Sequence, residues 1–322
     1  MTPVRAFAAV AVVCLLTAGW AIASAVFRTG PDDASGNVGD ALSGDPALVY
    51  RSLEGATRDQ VAIVPLDGGD DTTFSGLRCE RVHFAGGTGL CVARGGGFGS
   101  PFRARIFGAD GRVRRDLDLA GIPSRARVSR DGSLGAVTMF VTGHSYTAAG
   151  SFSTETTLID LRAGATIGNL EEFTVSHRGR VVTADDVNFW GVTFAPGRDR
   201  FYATLATGGR TYLLEGSIRD RTMRTLHENV ECPSLSPDGT RIAYKKRVRH
   251  RDVPWRLTVL DLATMRETPL GETRGFDDQA EWLDDEHVIY AMGGEIRVVA
   301  ADGGGEPRRF RAAGDSPAVV RG

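Results

Sequence analysis

Few residues of this 322-residue chain have the types and spacing that enzyme chemistry needs. There is no G-x-S-x-G segment to hold a nucleophilic serine, and the nearest string, GHSYT at 143–147, lacks the second glycine. A phosphate-binding G-x-x-x-x-G-K-[ST] loop is also missing, because the only lysines are Lys245 and Lys246. We interpret the glycine-rich stretch 95–99 as a flexible hairpin loop. The sequence therefore predicts a protein that is not an enzyme.

The metal-ligating and thiol residues are equally sparse. The six histidines show no H-x-x-x-H spacing, and no cysteine pair has zinc spacing. Cys79 and Cys91 bracket a predicted hairpin whose turn is at residues 86–87, and they are roughly opposed across its two strands. A disulfide between them and two buried free thiols are both compatible with this placement. Cys14 falls in an apolar run, so Cys232 is left unpaired and is expected to be buried.

The N-terminal region predicts export. Residues 6–27 form a run of 22 residues without a charge, which is long enough to span a bilayer as a helix. Arg5, ahead of the run, favours an inside N-terminus, while the small residues at 21–25 suit signal peptidase. We expect residues 1–27 to be a single-pass membrane anchor or, alternatively, a cleaved signal peptide followed by secretion. Residues 28–46 are small and acidic and predict a flexible linker.

Internal repeats are the strongest signal in the remaining chain. Residues 232–246 (CPSLSPDGTRIAYKK) predict a short strand, a tight turn and an alternating strand. Similar segments have their turns at positions 87, 132, 197, 239 and 285, which are steps of 45, 65, 42 and 46 residues. A further pair of predicted strands follows each hairpin. Four strands in a unit of this length are typical of a propeller blade.

The two ends of the chain predict one more blade. Residues 316–320 form a single strand, whereas 47–52, 60–66 and 72–74 form three strands without a first partner. Joining them closes a ring and removes open sheet edges. The 276 residues from 47 to 322 then divide into six units of 46. The predicted fold is all-β, a six-bladed β-propeller of four-stranded antiparallel blades closed by the N- and C-terminal strands, behind the N-terminal transmembrane or signal helix.

The turn segment Ser236-Pro237-Asp238-Gly239, followed by Ile242-Ala243-Tyr244, resembles the repeat of TolB-type six-bladed propellers, a WD40-like repeat. The other copies are degraded to SRDG at 129–132, APG at 195–197 and LDD at 283–285. The resemblance covers the blades and implies a periplasmic or cell-surface scaffold for protein interactions without chemistry of its own. Since residues 1–46 do not match the α/β domain that precedes the propeller in TolB, the Tol-system partners are not carried over.

Two loops break the blade length and predict a binding face. They occupy residues 141–155 and 245–255, and the second is strongly basic. In a propeller, loops between second and third strands lie on the same face as the connections between blades. Two pairs of aspartates, at 185–186 and 277–278, fall in such connections and are therefore expected on this face. We expect the contact residues to come from this face. The alternative is that Trp190 and Trp255 only pack between blades and that the basic loop is a solvated hairpin. The candidates are His144, Tyr146, Phe152, Asp185, Asp186, Trp190, Arg247, Arg249, Arg251, Trp255, Asp277 and Asp278.

Charge narrows the class of partner. Lys and Arg total 38 against 40 Asp and Glu, a net charge of −2, and the part after residue 27 carries 37 − 40 = −3. Nucleic acid is therefore not expected. The sequence predicts a monomeric propeller outside the cytoplasm that binds an envelope protein or a cell-wall component and needs no cofactor. The alternative is an enzyme or a glycan- or Ca²⁺-binding propeller that uses channel-mouth carboxylates such as Asp185 and Asp278.

Overall fold

The computed structural model describes residues 38–43, 46–67, 71–96, 101–141, 153–248 and 253–321. The predicted membrane span at 6–27 and Cys14 lie outside these residues. Among the described residues, no helix has the length and apolarity needed to cross a membrane. The described residues group into one compact unit, which contains the strands given below.

The regular secondary structure of the described residues is almost entirely β-strand. Two single 3₁₀ turns (Gly55–Thr57 and Leu170–Glu172) and one helix, α1 (Val38–Ser43), complete the regular structure of this part of the chain. In chain order the strands are β1 (Ala47–Ser52), β2 (Gln60–Pro65), β3 (Thr73–Arg78), β4 (Arg81–Ala85), β5 (Thr88–Arg94), β6 (Phe102–Gly108), β7 (Val113–Leu119), β8 (Ile122–Val128), β9 (Leu134–Val141), β10 (Ser153–Asp160), β11 (Ala165–Asn169), β12 (Thr174–His177), β13 (Arg180–Val181), β14 (Asn188–Phe194), β15 (Arg200–Thr207), β16 (Arg210–Ser217), β17 (Thr222–Glu228), β18 (Glu231–Leu235), β19 (Arg241–Arg247), β20 (Trp255–Asp261), β21 (Glu267–Pro269), β22 (Glu281–Trp282), β23 (His287–Met292), β24 (Glu295–Ala300), β25 (Arg308–Arg311) and β26 (Gly314–Val320).

These strands form six sheets, and the predicted six-bladed propeller is confirmed. Blade 1 has the strand order β26-β1-β2-β3, blade 2 consists of β4 to β7, and blade 3 consists of β8 to β11. Blade 4 contains β14 to β17, blade 5 contains β18 to β21, and blade 6 contains β22 to β25. The first strand of each of blades 2 to 6, together with β26, lines the central channel. The apolar core is divided into clusters of buried side chains within and between blades.

Blade 1 closes the ring as the sequence predicts. Strand β26 pairs antiparallel with β1, so that Val319 lies opposite Leu48. The preceding helix α1 differs from the expected linker, because Val38 and Leu42 are buried against this blade. These two residues are four positions apart and therefore lie on one helical face, which explains how a short segment without a longer periodicity docks.

The long step between the second and third turns has two causes. One is the segment 142–152, between β9 and β10, which lies outside the described residues. The other is an additional hairpin of β12 and β13, which adds to the outer edge of blade 4 by parallel pairing of Thr174 with Thr222. Blade 4 is consequently a six-stranded sheet. Strand β11 of blade 3 ends at Asn169, directly before the 3₁₀ turn Leu170–Glu172.

A close contact between two turns holds blade 2 against blade 3. Gly132 has a φ of +68°, and a Cβ atom there would lie 2.4 Å from the Gly86 carbonyl oxygen. Gly239 has the corresponding turn position in blade 5, with a φ of +75°, and a Cβ atom there would meet nothing within 4 Å. A comparison of Gly132 with Gly239 therefore separates two costs of adding a side chain: the strain of a left-handed backbone, and the steric clash with the next blade.

We expect Gly132→Ala to lower the free energy of unfolding by about 1–3 kcal/mol more than Gly239→Ala does. Both variants add a side chain at positive φ, but only the first drives it into backbone atoms. Urea unfolding of the two proteins measures the difference. Equal losses would show that the two turns separate without cost.

Candidate functional site

The central channel opens into a cavity on the face that carries the turns between first and second strands. We call this cavity, of about 230 Å³, the turn-side cavity. All six inner strands or their turns contribute to its wall. Among its lining residues are His83, Arg127, Arg130, Thr193, Glu281 and Arg321. We call the opposite face, where one blade connects to the next, the connection face.

Alternating polar residues on three inner strands fill the channel. The side chains involved lie two positions apart on each strand and so point to the same side. They are Arg81 and His83 on β4, Arg125 and Arg127 on β8, and Gln279 and Glu281 around β22. None of these residues was among the sequence candidates. The signal that could have identified them is a pair of polar residues at alternate positions in a strand directly before a tight turn.

A buried ion pair lies at the centre of the channel. The Arg127 guanidinium contacts the Glu281 carboxylate, and its Nη2 donates to the Ala280 carbonyl oxygen at 2.9 Å. Burial, together with the guanidinium of Arg321, lowers the pKa of Arg127 to about 10, which leaves it protonated at neutral pH. The two side chains are about 8% and 10% exposed. Each charge therefore depends on the other for compensation.

His83 completes this cluster as a neutral ring. The backbone N–H of Val128 donates to its Nδ1 at 3.2 Å, and its Nε2 lies 3.2 Å from Glu281 Oε2 and 3.0 Å from Arg127 Nη1. Burial lowers the pKa of His83 well below its ordinary 6.5, and the guanidiniums of Arg127 and Arg321 lower it further. The imidazole is accordingly uncharged at physiological pH.

This placement gives a prediction for acid stability. The unfolded chain binds a proton at His83 near pH 6.5, whereas the folded chain does so only at lower pH, so the free energy of unfolding falls as the pH drops below about 6.5. We expect a contribution of up to about 1.4 kcal/mol per pH unit, which is the limit for one proton. His83→Gln removes it. Urea unfolding at several pH values checks this, and an unchanged slope in the variant would contradict it.

At the connection face, the paired aspartates of blade 6 meet basic residues of two other blades. Lys245 Nζ donates to Asp277 Oδ1 at 2.5 Å, and Arg125 Nη2 donates to the same oxygen at 3.4 Å. Asp278 accepts from the Gln279 N–H at 2.8 Å and lies 3.7 Å from Arg125. Although burial opposes it, Lys245 and Arg125 hold the pKa of Asp277 below its ordinary value. Two of the candidate carboxylates are therefore already paired with cations.

Trp255 lies beside this cluster and is half-buried. The Lys245 ammonium is 4.3 Å from the centre of its indole ring, and the Arg247 guanidinium carbon is 5.1 Å away. Arg247 also contacts Glu231, with 3.0 Å between Nη2 and Oε1. Cations over an indole face are stabilising, so the ring is held in one position at the surface.

The remaining candidates are dispersed. Asp186 accepts from the Thr207 hydroxyl at 2.6 Å and the Gly208 N–H at 2.7 Å, which ties the start of blade 4 to its turn between β15 and β16. Asp185 lines a separate groove beside blades 3 and 4. Trp190 is only 8% exposed, which agrees with the alternative that it packs between blades rather than contacting a partner. His144, Tyr146, Phe152, Arg249 and Arg251 lie outside the described residues.

The predictions for the cysteines can be compared directly with the structure. Cys79 and Cys91 form a disulfide with a Cα–Cα distance of 5.4 Å, which joins the segment before β4 to β5. Cys232 is free and buried. Within the described ranges, no group of three or more histidine, cysteine or carboxylate side chains is arranged to hold a metal ion.

The fold and its polar channel define the chain as a six-bladed β-propeller. Its structure is similar to that of TolB from Acinetobacter baumannii, with a TM-score of 0.61, 16% sequence identity and coverage of 88% of this chain and 68% of that chain. It is also similar to a chain of the nidogen/laminin complex, with a TM-score of 0.57, 11% identity and coverage of 85% and 97%. No protein-family model and no curated protein sequence matches.

A third similar structure is a Mycobacterium tuberculosis puromycin-hydrolyzing peptidase. The TM-score is 0.51 at 15% identity, and the match covers 82% of this chain but only 44% of the peptidase. At such identities the similarities show the fold alone. Of these three structures, one is named as a hydrolysing peptidase and two have names without an activity. The shared fold therefore does not distinguish an enzyme from a binding protein.

Proposed function

We propose that this chain is a TolB-like binding scaffold outside the cytoplasm, tethered by residues 1–27, that binds an envelope protein or a cell-wall component through the connection face. It performs this role without catalysis. The disulfide between Cys79 and Cys91 supports the location, because disulfides persist mainly in oxidising compartments.

The observation that carries the proposal is the exposed apolar surface of the connection face. Ile122, at the start of the inner strand of blade 3, is 65% exposed and lies opposite Phe140 on β9, which is 38% exposed. Val253, which precedes β20 of blade 5, is 40% exposed. Ile122 and Phe140 therefore form an exposed apolar pair on neighbouring strands, and exposed apolar patches are typical of interaction sites.

Trp255 adds a candidate anchor to this surface. Tryptophan and arginine are the residue types that contribute most often to binding energy, and here Arg247 and Lys245 hold the indole in place. The Asp277 carboxylate on the same face is 58% exposed, so that it offers a polar rim position beside the apolar residues. The segments 142–152 and 249–252, which contain five of the sequence candidates, are attached to this face.

The test is proximity labelling by the full chain in its native envelope. We expect Ile122→Asp and Trp255→Ala to reduce labelling of the partner at least several-fold. Val181→Asp is the matched control, because Val181 is 62% exposed but lies on the outer hairpin of blade 4. Partners labelled equally by all variants would exclude this face.

A second candidate function is glycan binding in the groove that Asp185 lines. This groove, of about 310 Å³, combines the carboxylates of Glu155, Glu171 and Asp185 with the amides of Asn169 and Asn188. Carboxylates and amides together suit sugar hydroxyls. A thermal shift with a glycan panel or Ca²⁺ that is lost in Asn188→Ala would favour it over the scaffold.

A further inference from the structure

The turn-side cavity has an excess of positive charge. Three guanidiniums, those of Arg127, Arg130 and Arg321, line it together with one carboxylate, that of Glu281. Because the buried His83 ring is neutral, the lining carries a net charge of 3 − 1 = +2. This lies in a chain whose overall net charge is −2, and it therefore reflects local placement rather than composition.

The carboxylates of the surrounding turns are engaged elsewhere. Asp131 accepts from the hydroxyls of Ser129 and Ser133 in its own turn. Asp238 accepts from Ser236 and Thr240, and Asp285 accepts from the Asp238 N–H at 2.9 Å. These bonds stabilise the turns and use the oxygens that face the backbone. Within the described part of the chain, Glu281 is then the one carboxylate that lines the cavity beside the guanidiniums.

Arg130 and Arg321 are held in place by backbone carbonyl oxygens, whereas Arg127 is paired with the Glu281 carboxylate. Arg130 Nη1 donates to the Pro237 carbonyl oxygen at 2.9 Å, which brings a blade 3 side chain to the first turn of blade 5. Arg321 donates to the Trp282 carbonyl oxygen and lies 3.9 Å from Glu281. Arg127 Nε is buried and has no hydrogen-bond partner among the described residues. Donors fixed by carbonyl oxygens are preorganised without being neutralised.

The guanidiniums that line the cavity are close enough to lower each other's pKa. Burial, together with the neighbouring Arg130, lowers the pKa of Arg321 although Asp285 and Asp284 oppose this, and Arg321 in turn contributes to the lowered pKa of Arg127. An anion between these groups would relieve the repulsion. Guanidiniums match tetrahedral oxyanions in geometry as well as charge, because they offer paired parallel donors.

We propose that the turn-side cavity binds a small phosphate dianion, either inorganic phosphate or the phosphoryl group of a small phosphomonoester, through Arg130 and Arg321 with Arg127 beneath them. The charge of a phosphate dianion, −2, would balance the net charge of +2 on the cavity lining. The cavity volume of about 230 Å³ admits a phosphate and several atoms attached to it, but not a folded partner. The site lies on the face opposite the connection face, so it is independent of the scaffold proposal.

The test is a thermal-shift and calorimetric titration of the full chain with inorganic phosphate, compared with sodium chloride and sodium succinate at matched ionic strength. We expect phosphate to raise the Tm by several degrees while chloride and succinate do not. Glycerol phosphate in a parallel titration distinguishes a phosphomonoester from inorganic phosphate by its tighter binding. A shift equal to that with chloride, or a larger one with succinate, would overturn the proposal.

Two variants assign the site. Arg130→Gln is expected to weaken phosphate binding at least tenfold, and it should fold normally because Arg130 is exposed. The matched control is Arg219→Gln, since Arg219 is 78% exposed on the outer part of blade 4. Equal binding by both variants would overturn the assignment. Ile122→Asp should retain the phosphate response, so that a failure here and a failure of the scaffold proposal are distinguishable.

Discussion

Replacing Glu281 with alanine is expected to lower the free energy of unfolding by about 3–5 kcal/mol. The substitution leaves the buried Arg127 guanidinium without its carboxylate and removes the acceptor 3.2 Å from His83 Nε2. The buried Arg127 guanidinium then lacks its nearest carboxylate in a place that water reaches poorly. Urea or guanidinium unfolding monitored by circular dichroism measures the change.

Two further variants identify the cause of this loss. Glu295→Ala removes a carboxylate of the same blade that pairs with Arg297 and Arg309 near the surface, and it should cost much less than Glu281→Ala. Glu281→Leu combined with Arg127→Met removes both charges at similar volume and should recover much of the loss. If Glu281→Ala were as mild as Glu295→Ala, the two channel charges would not depend on each other for compensation.

Removal of the disulfide is expected to cost about 3 kcal/mol. Cys79 and Cys91 are 12 residues apart in sequence, and closing a loop of that size restricts the unfolded chain by roughly this amount. Both side chains are buried, at 2% and 0% exposure, so that Cys79→Ala with Cys91→Ala also removes packed sulfur atoms. Denaturant unfolding with and without reductant measures the effect.

The free cysteine supplies the control for this experiment. Cys232 is buried and unpaired, so Cys232→Ala should remain as sensitive to reductant as the original chain. The double variant of Cys79 and Cys91 should be insensitive. A double variant that still lost stability on reduction would contradict the pairing, as would an original chain that reductant left unchanged.

The sequence by itself determined the features that depend on short-range patterns. The segment Ser236-Pro237-Asp238-Gly239 specifies its own turn, because the Ser236 hydroxyl and the Thr240 N–H both donate to the Asp238 carboxylate. Repetition of this pattern at a period near 45 residues predicted the blades, and the unpaired strands at both ends predicted their closure. Cys79 and Cys91 could be related because they flank one hairpin.

Only the tertiary structure decided which side chains from different blades meet. His83 and Glu281 are 198 positions apart, Arg127 and Glu281 are 154 apart, and these pairs form because six inner strands converge on one axis. The parallel docking of β12 on β17 and the burial of α1 depend on surfaces that other segments complete. Local patterns specify strands and turns, whereas the charge of a channel depends on the angular placement of every blade around it, which no short stretch of sequence contains.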